Sequence, residues 1–252
     1  MHFRLDKLFK NDKIKYNNIN LRRYFMHYRI EGGNLPVAVL QLQAGETVIS
    51  ESGGRSWMRG PVITETTSNG GVKKVFSRMF SGESLFMSRY TAQGDAEIAF
   101  ASSFPGSILV KELRAGESVI CQKTSFLCGM GNLDISIHFQ KKLGGGFFGG
   151  EGFIMQRVTG PGIVFIEVDG YAPSYDLAPG EELICDTGTV AMMDATCSLD
   201  VRMVRGAKNI FLGNEGLFDT VVTGPGRVYM QSMTIPKIAT LLIPYIPTGN
   251  NN

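Results

Sequence analysis

The stretch "FFGGEGFIMQRVTGPG", residues 147–162, has the glycine crowding of a phosphate-binding loop, and Gly144, Gly146 and Gly149 even fall at G-x-G-x-x-G spacing. Two echoes decide otherwise: "MFSGESLFMSRYTAQG" (79–94) and "FLGNEGLFDTVVTGPG" (211–226). All three run through two apolar residues, Ser or Gly, Gly or Asn, a Glu (Glu83, Glu151, Glu215), Ser or Gly, and two more apolar residues. Eight residues past each Glu stands a Thr (Thr91, Thr159, Thr223), and eleven past it a Gly (Gly94, Gly162, Gly226). A nucleotide site occurs once; a pattern occurring three times marks a structural repeat.

A second element precedes each Glu: "LQAGETVI" (42–49), "LRAGESVI" (113–120) and "LAPGEELI" (177–184). Its glycines, Gly45, Gly116 and Gly180, lie 38, 35 and 35 residues before Glu83, Glu151 and Glu215. The unit therefore spans roughly 65 to 70 residues, with approximate bounds 35–104, 105–171 and 172–236. Pro179-Gly180, Pro161-Gly162 and Pro225-Gly226 put a fixed φ at the second turn position and a residue tolerant of positive φ at the third, as a type II turn requires. "DISIHF" (134–139) and "SLDVRMV" (198–204) alternate apolar and polar, as half-buried strands do. "IVFIEV" (163–168) is nearly apolar throughout, as in a strand covered on both faces. Helical periodicity is scarce between 35 and 236. The expectation is an all-β antiparallel fold, with three similar sheets packed around a pseudo-threefold axis. It is one domain, 26–252, preceded by a basic extension, 1–25, and closed by an apolar segment, 237–247.

At 252 residues and 43% hydrophobic the chain can bury a sizeable core. The formal charge of +2 hides an asymmetry. Residues 1–26 hold seven Lys/Arg against two Asp, which leaves 25 − 7 = 18 basic and 23 − 2 = 21 acidic groups for the rest. A body this close to neutral argues against a phosphate-tracking surface, so nucleic acid is not the expected partner. No apolar run reaches the roughly 18 residues of a spanning helix, and the N-terminus lacks a secretory apolar block, so a cytoplasmic protein is expected. Cys121, Cys128, Cys185 and Cys197 form no C-x-x-C, and His2, His27 and His138 are scattered, so spacing assembles no zinc or redox motif and no cofactor is expected. Cys121 and Cys185 each stand five residues past an equivalent glycine, where the first unit has Ser50; they read as small strand residues.

Glu83, Glu151 and Glu215 have two readings. Each carboxylate could accept from backbone N–H groups freed by a bulge. Alternatively, pseudo-symmetry could bring the three to one axis, where they would share a proton or hold a hard cation. Phe147 and Phe148 stand among glycines beside Lys141 and Lys142. That foursome suits either a core plug or a patch that dips into a membrane interface or a partner protein.

"MHYRIEGG" from Met26, the A-G-E turns, the G-G-E-G-[FL] and T-G-P-G elements and the closing "IPKIATLLIPYIP" resemble the family of altered inheritance of mitochondria protein twenty-four and its uncharacterised bacterial relatives. The resemblance covers about residues 26–247. It implies a fold similar to that of the tryptophan RNA-binding attenuation protein, a β-sandwich repeated within one chain. It implies little function beyond an association with membrane organisation, and the attenuation protein's RNA binding does not carry over on fold alone. Residues 1–25 fall outside the resemblance; they mix apolar residues with lysines, as either a basic amphipathic helix on an anionic membrane or a loose tail would. Pro236, Pro244 and Pro247 bracket "KIATLLI", too short to span a bilayer and expected to pack on the sheets or on a neighbouring subunit.

Three functional classes follow. The first is a non-enzymatic structural or interaction module, self-associating or bound to a protein partner, and peripheral to an anionic membrane. The second is a small-ligand or divalent-metal binder using the Glu loops. The third is nucleic-acid binding by analogy of fold. No nucleophile–base pairing, G-x-S-x-G or H-E-x-x-H supports an enzyme, and no small-molecule substrate is identified.

Overall fold

The computed structural model describes residues 27–66, 87–141, 152–203 and 218–246. They form four antiparallel sheets. Sheet I runs, in spatial order, β1 (His27–Glu31), β2 (Val37–Leu42), β7 (Ala96–Ala101) and β4 (Trp57–Arg59). Sheet II is β5 (Val62–Thr66), β6 (Met87–Ala92), β3 (Thr47–Glu51), β10 (Phe126–Gly131), β13 (Gly162–Asp169) and β8 (Gly106–Leu113). Sheet III is β11 (Asp134–Lys141), β12 (Phe153–Thr159), β9 (Ser118–Gln122), β16 (Val190–Asp194), β19 (Gly226–Met230) and β14 (Ser174–Leu177). Sheet IV is β15 (Glu182–Asp186), β18 (Phe218–Thr223) and β17 (Ser198–Met203). The all-β expectation is met. Where three similar sheets were expected, the described residues form four, with β4 and β15 each at a sheet edge.

Alternation along the strands distributes their side chains to three cores. The first joins sheets I and II through Leu40, Ile98, Phe100, Val48 and Phe165. The second joins II and III through Ile49, Val164, Ile166, Ile135 and Val158. The third joins III and IV through Ile120, Phe153, Met193, Val201 and Val222. Strand β13 is apolar on both faces over most of its length because both are covered: Ile163 and Phe165 enter the first core, Val164, Ile166 and Val168 the second.

The A-G-E turns are alike in detail. Gly45, Gly116 and Gly180 have φ of 87°, 82° and 79°, the left-handed position of a type II turn. Each following Glu folds its carboxylate back onto its own turn: Glu46 Oε2 accepts from Gln43 N, Glu117 Oε2 from Arg114 N and Glu181 Oε2 from Ala178 N, all at 2.8 Å. The T-G-P-G turns depart from expectation. Gly160–Pro161 and Gly224–Pro225 are cis peptides, Gly226 lies at φ 143°, and Gly162 is outside the left-handed region. Close packing, rather than turn conformation, demands Gly162 and Gly224, whereas Gly226 is also held by its positive φ. A Cβ on Gly224 would stand 2.3 Å from Ala178 O, and one on Gly162 would stand 2.3 Å from Met130 O.

The C-terminal segment is a helix, α1 (Ile235–Leu242), followed by a 3-10 turn at Ile243–Tyr245. Thr234 caps it, its side chain accepting from Lys237 N at 3.4 Å, and proline occupies the first turn, where no N–H partner is lost.

Candidate functional site

Glu83, Glu151, Glu215, Phe147, Phe148 and Lys142 lie outside the described residues. Lys141 ends β11, half-buried, and its Nζ donates to Val201 O at 2.5 Å, which ties sheet III to sheet IV. Among the described residues no three His, Cys, Asp or Glu side chains gather as a metal site. Cys121, Cys128 and Cys197 are buried and Cys185 is half-buried. Desolvation, helped by the charge of Glu51 at Cys121 and of Asp186 and Asp219 at Cys185, pushes both of those thiols up to about 12. A thiol held neutral is a poor nucleophile, in keeping with the strand-residue reading.

Two carboxyl groups that the sequence reading passed over meet inside the fold. Glu167 and Asp169 are two residues apart on β13, so they share a face, and both are buried, at 7% and 8% exposure. Glu167 Oε1 accepts from the backbone N–H of Ser103, and Glu167 and Asp169 are hydrogen-bonded to each other. The amide of Asp169 donates to Gln231 Oε1 at 3.4 Å, while Gln231 Nε2 donates to Gly188 O at 2.7 Å. Burial raises Glu167 to about 7, with the Asp169 charge adding to it and the Ser103 N–H opposing. Burial likewise raises Asp169 to about 6, opposed by the Glu167 hydrogen bond. The pair can hold a proton close to neutral pH. Among the described residues Asp169 Oδ1 and Ser102 Oγ, both buried, have no hydrogen-bond partner. The signal available in sequence was two acids at i and i+2 in an otherwise apolar strand.

Among the described residues, a run of exposed apolar side chains lies near the C-terminus. Leu241 and Leu242 at the end of α1, then Ile243, Tyr245 and Ile246, are all more than half exposed, with Tyr245 at 84%. The part of the expectation that placed this segment on the sheets is therefore corrected: its apolar end faces outward. A single exposed leucine means little, but five large apolar residues within six positions form a patch of the kind that covers itself with another surface. Among the described residues no helix is long and apolar enough to cross a membrane.

Comparison with known proteins places the chain among relatives of unassigned role. A family model described as mitochondrial biogenesis AIM24 matches residues 28–233. An uncharacterised protein of Streptococcus pyogenes serotype M6 is 27% identical over 224 residues, spanning 86% of this chain and 89% of that protein. An X-ray crystal structure of a Streptococcus pyogenes protein superposes with a TM-score of 0.73 at 24% identity, covering 88% of this chain and 100% of that one. At that identity the likeness speaks to the fold.

Proposed function

We propose that this chain, which belongs to the mitochondrial biogenesis AIM24 family, is a non-enzymatic interaction module that sits against a membrane interface through its C-terminal segment. The exposed run from Leu241 to Ile246 carries the reading. A short helix with an apolar end lies in an interface rather than across it, since eight residues at 1.5 Å rise cover far less than a bilayer core of about 30 Å. The basic N-terminal residues supply attraction to an anionic surface.

The scaffold behind that surface is three copies of one six-stranded unit. Support comes from strand pairing. β7 lies between β2 and β4, as β13 lies between β8 and β10 and β19 between β14 and β16. β6 lies between β3 and β5, as β12 lies between β9 and β11 and β18 between β15 and β17. Each unit thus gives one three-stranded half to each of two sheets, the sharing a repeated β-sandwich requires.

The membrane reading is tested at its most exposed residue. Tyr245→Cys carrying an environment-sensitive fluorophore is expected to shift its emission to the blue on mixing with anionic vesicles. The native cysteines, buried or half-buried with depressed thiolate character, leave residue 245 as the site that labels. An emission spectrum unmoved by vesicles contradicts contact through this segment.

A further inference from the structure

Two joints hold the three units together, and they are made the same way. Sheet II is completed where β3 meets β10, with Ile49 opposite Gly129 and Val48 opposite Met130. Sheet III is completed where β9 meets β16, with Ile120 opposite Met193 and Val119 opposite Asp194. Ile49 and Ile120 each stand four residues past an A-G-E glycine, so the joint repeats to the residue. The third strand of this kind is β15, where Ile184 takes the same place, and among the described residues it pairs only with β18. Ile49 is 9% exposed and Ile120 0%, whereas Ile184 is 59% exposed.

The complementary half of a joint is left over at the other end. β10 pairs with β13 through Cys128 and Phe165, and β16 with β19 through Met192 and Tyr229; β4 pairs with β7 at the matching place, Arg59 opposite Glu97. β10 and β16 are buried almost throughout, but all three residues of β4 are exposed, Trp57 at 48%. Among the described residues, one chain therefore carries one unmatched copy of each side. Unpaired strand edges are templates for another strand. The two edges also differ in charge: β15 bears Glu182 and Asp186, while β4 and the residues just before it bear Arg59 and Arg55.

We propose that β15 of one copy pairs antiparallel with β4 of a second copy, fusing sheet IV of the first and sheet I of the second into one seven-stranded sheet. This rests on the three-unit reading given above. The register of the internal joints sets Cys185 opposite Arg59, as Cys121 stands opposite Met192. It places Asp186 and Thr187 along Met58 and Trp57, and Pro61, which has no N–H to give, limits the pairing on the other side. Ile184 loses its exposure in the process. Because β15 joins β4 and never itself, the contact is heterologous and propagates head to tail, closing as a ring or continuing as a filament.

Met58→Cys together with Asp186→Cys in the full-length chain, both at exposed positions, tests the register. Directly opposed residues of an antiparallel pair have Cα atoms about 4.5–5.5 Å apart, within disulfide range. Copper-phenanthroline oxidation is expected to yield a reducible ladder of multimers that disappears when either introduced cysteine is left out. A disulfide confined to single chains would mean that β15 closes onto its own β4, and absence of any product that needs both introduced cysteines would mean that neither pairing forms; both overturn the proposal. In parallel, sedimentation of the parent protein is expected to give a mass above 27.6 kDa that Ile184→Asp returns to a single chain. Its circular dichroism spectrum should remain that of the folded chain, because Ile184 is exposed in the isolated copy. A parent that sediments as a single chain overturns the joint. If the label at residue 245 still responds to vesicles in that case, the membrane reading survives without it.

Discussion

Phe165→Ala is expected to lower the melting temperature by roughly 6–20 °C, from a loss of about 3–5 kcal/mol. Phe165 is fully buried in the middle of β13, opposite Cys128 on one side and Val110 on the other. Its ring enters the first core and meets the edge of Tyr28 at 5.1 Å between centroids and 85° between planes. Truncation removes the ring's transfer free energy and leaves a cavity whose walls, backbone of a sheet paired on both sides, have little freedom to collapse. The same change also loosens β1 from sheet I, since Tyr28 loses its partner. Tyr171→Ala makes the comparison: with Tyr171 74% exposed, its loss should stay within about 0.5 kcal/mol. Thermal unfolding of both variants followed by circular dichroism separates the two cases.

Glu167→Gln is expected to stabilise the protein at pH 8 and to make little difference near pH 4. Both carboxyl groups of the pair are raised in the folded state, Glu167 to about 7 and Asp169 to about 6, chiefly by burial. As pH climbs from the ordinary carboxylate range, the unfolded chain releases these protons while the folded chain holds them. Stability therefore falls through the window from about 4 to about 7 and is level above it. Glutamine imitates the protonated Glu167: its oxygen still accepts from Ser103 N–H and its amide can donate to ionised Asp169. The variant should thus show a flatter dependence of melting temperature on pH between 5 and 8, with a gain of a few degrees at the upper end. A parallel pair of curves would mean that Glu167 does not carry the titration.

The A-G-E turns were legible because everything that makes them lies within four residues. Gly180 supplies the positive φ, and Glu181 satisfies the turn's own amide. "IVFIEV" was legible for a similar reason, since a strand with no polar face has to be covered twice. The T-G-P-G turns were misread because the pressure on Gly162 and Gly224 comes from Met130 and Ala178, far away in the chain. Glu167 and Asp169 escaped notice inside a strand judged by its apolar residues, and their raised protonation depends on burial that no spacing encodes. At the C-terminus, Thr234 and Pro236 were local signals of a helix start, yet nothing local says whether Leu241 and Leu242 turn inward. The open edges β4 and β15 exist only as an absence of pairing and become visible against the two joints that are made. The Glu loops, the first feature the sequence offered, lie outside the described residues.

The most direct test of an interaction module held at a membrane surface is co-sedimentation with anionic liposomes. Three chains would run side by side: the full sequence, one starting at Met26, and one ending at Met233, before the helix. The account predicts that the full chain pellets with the liposomes, that loss of residues 1–25 weakens this chiefly at high salt, and that loss of the C-terminal segment abolishes it. Equal pelleting of the chain ending at Met233, or a full chain that stays in the supernatant at low salt, would contradict it.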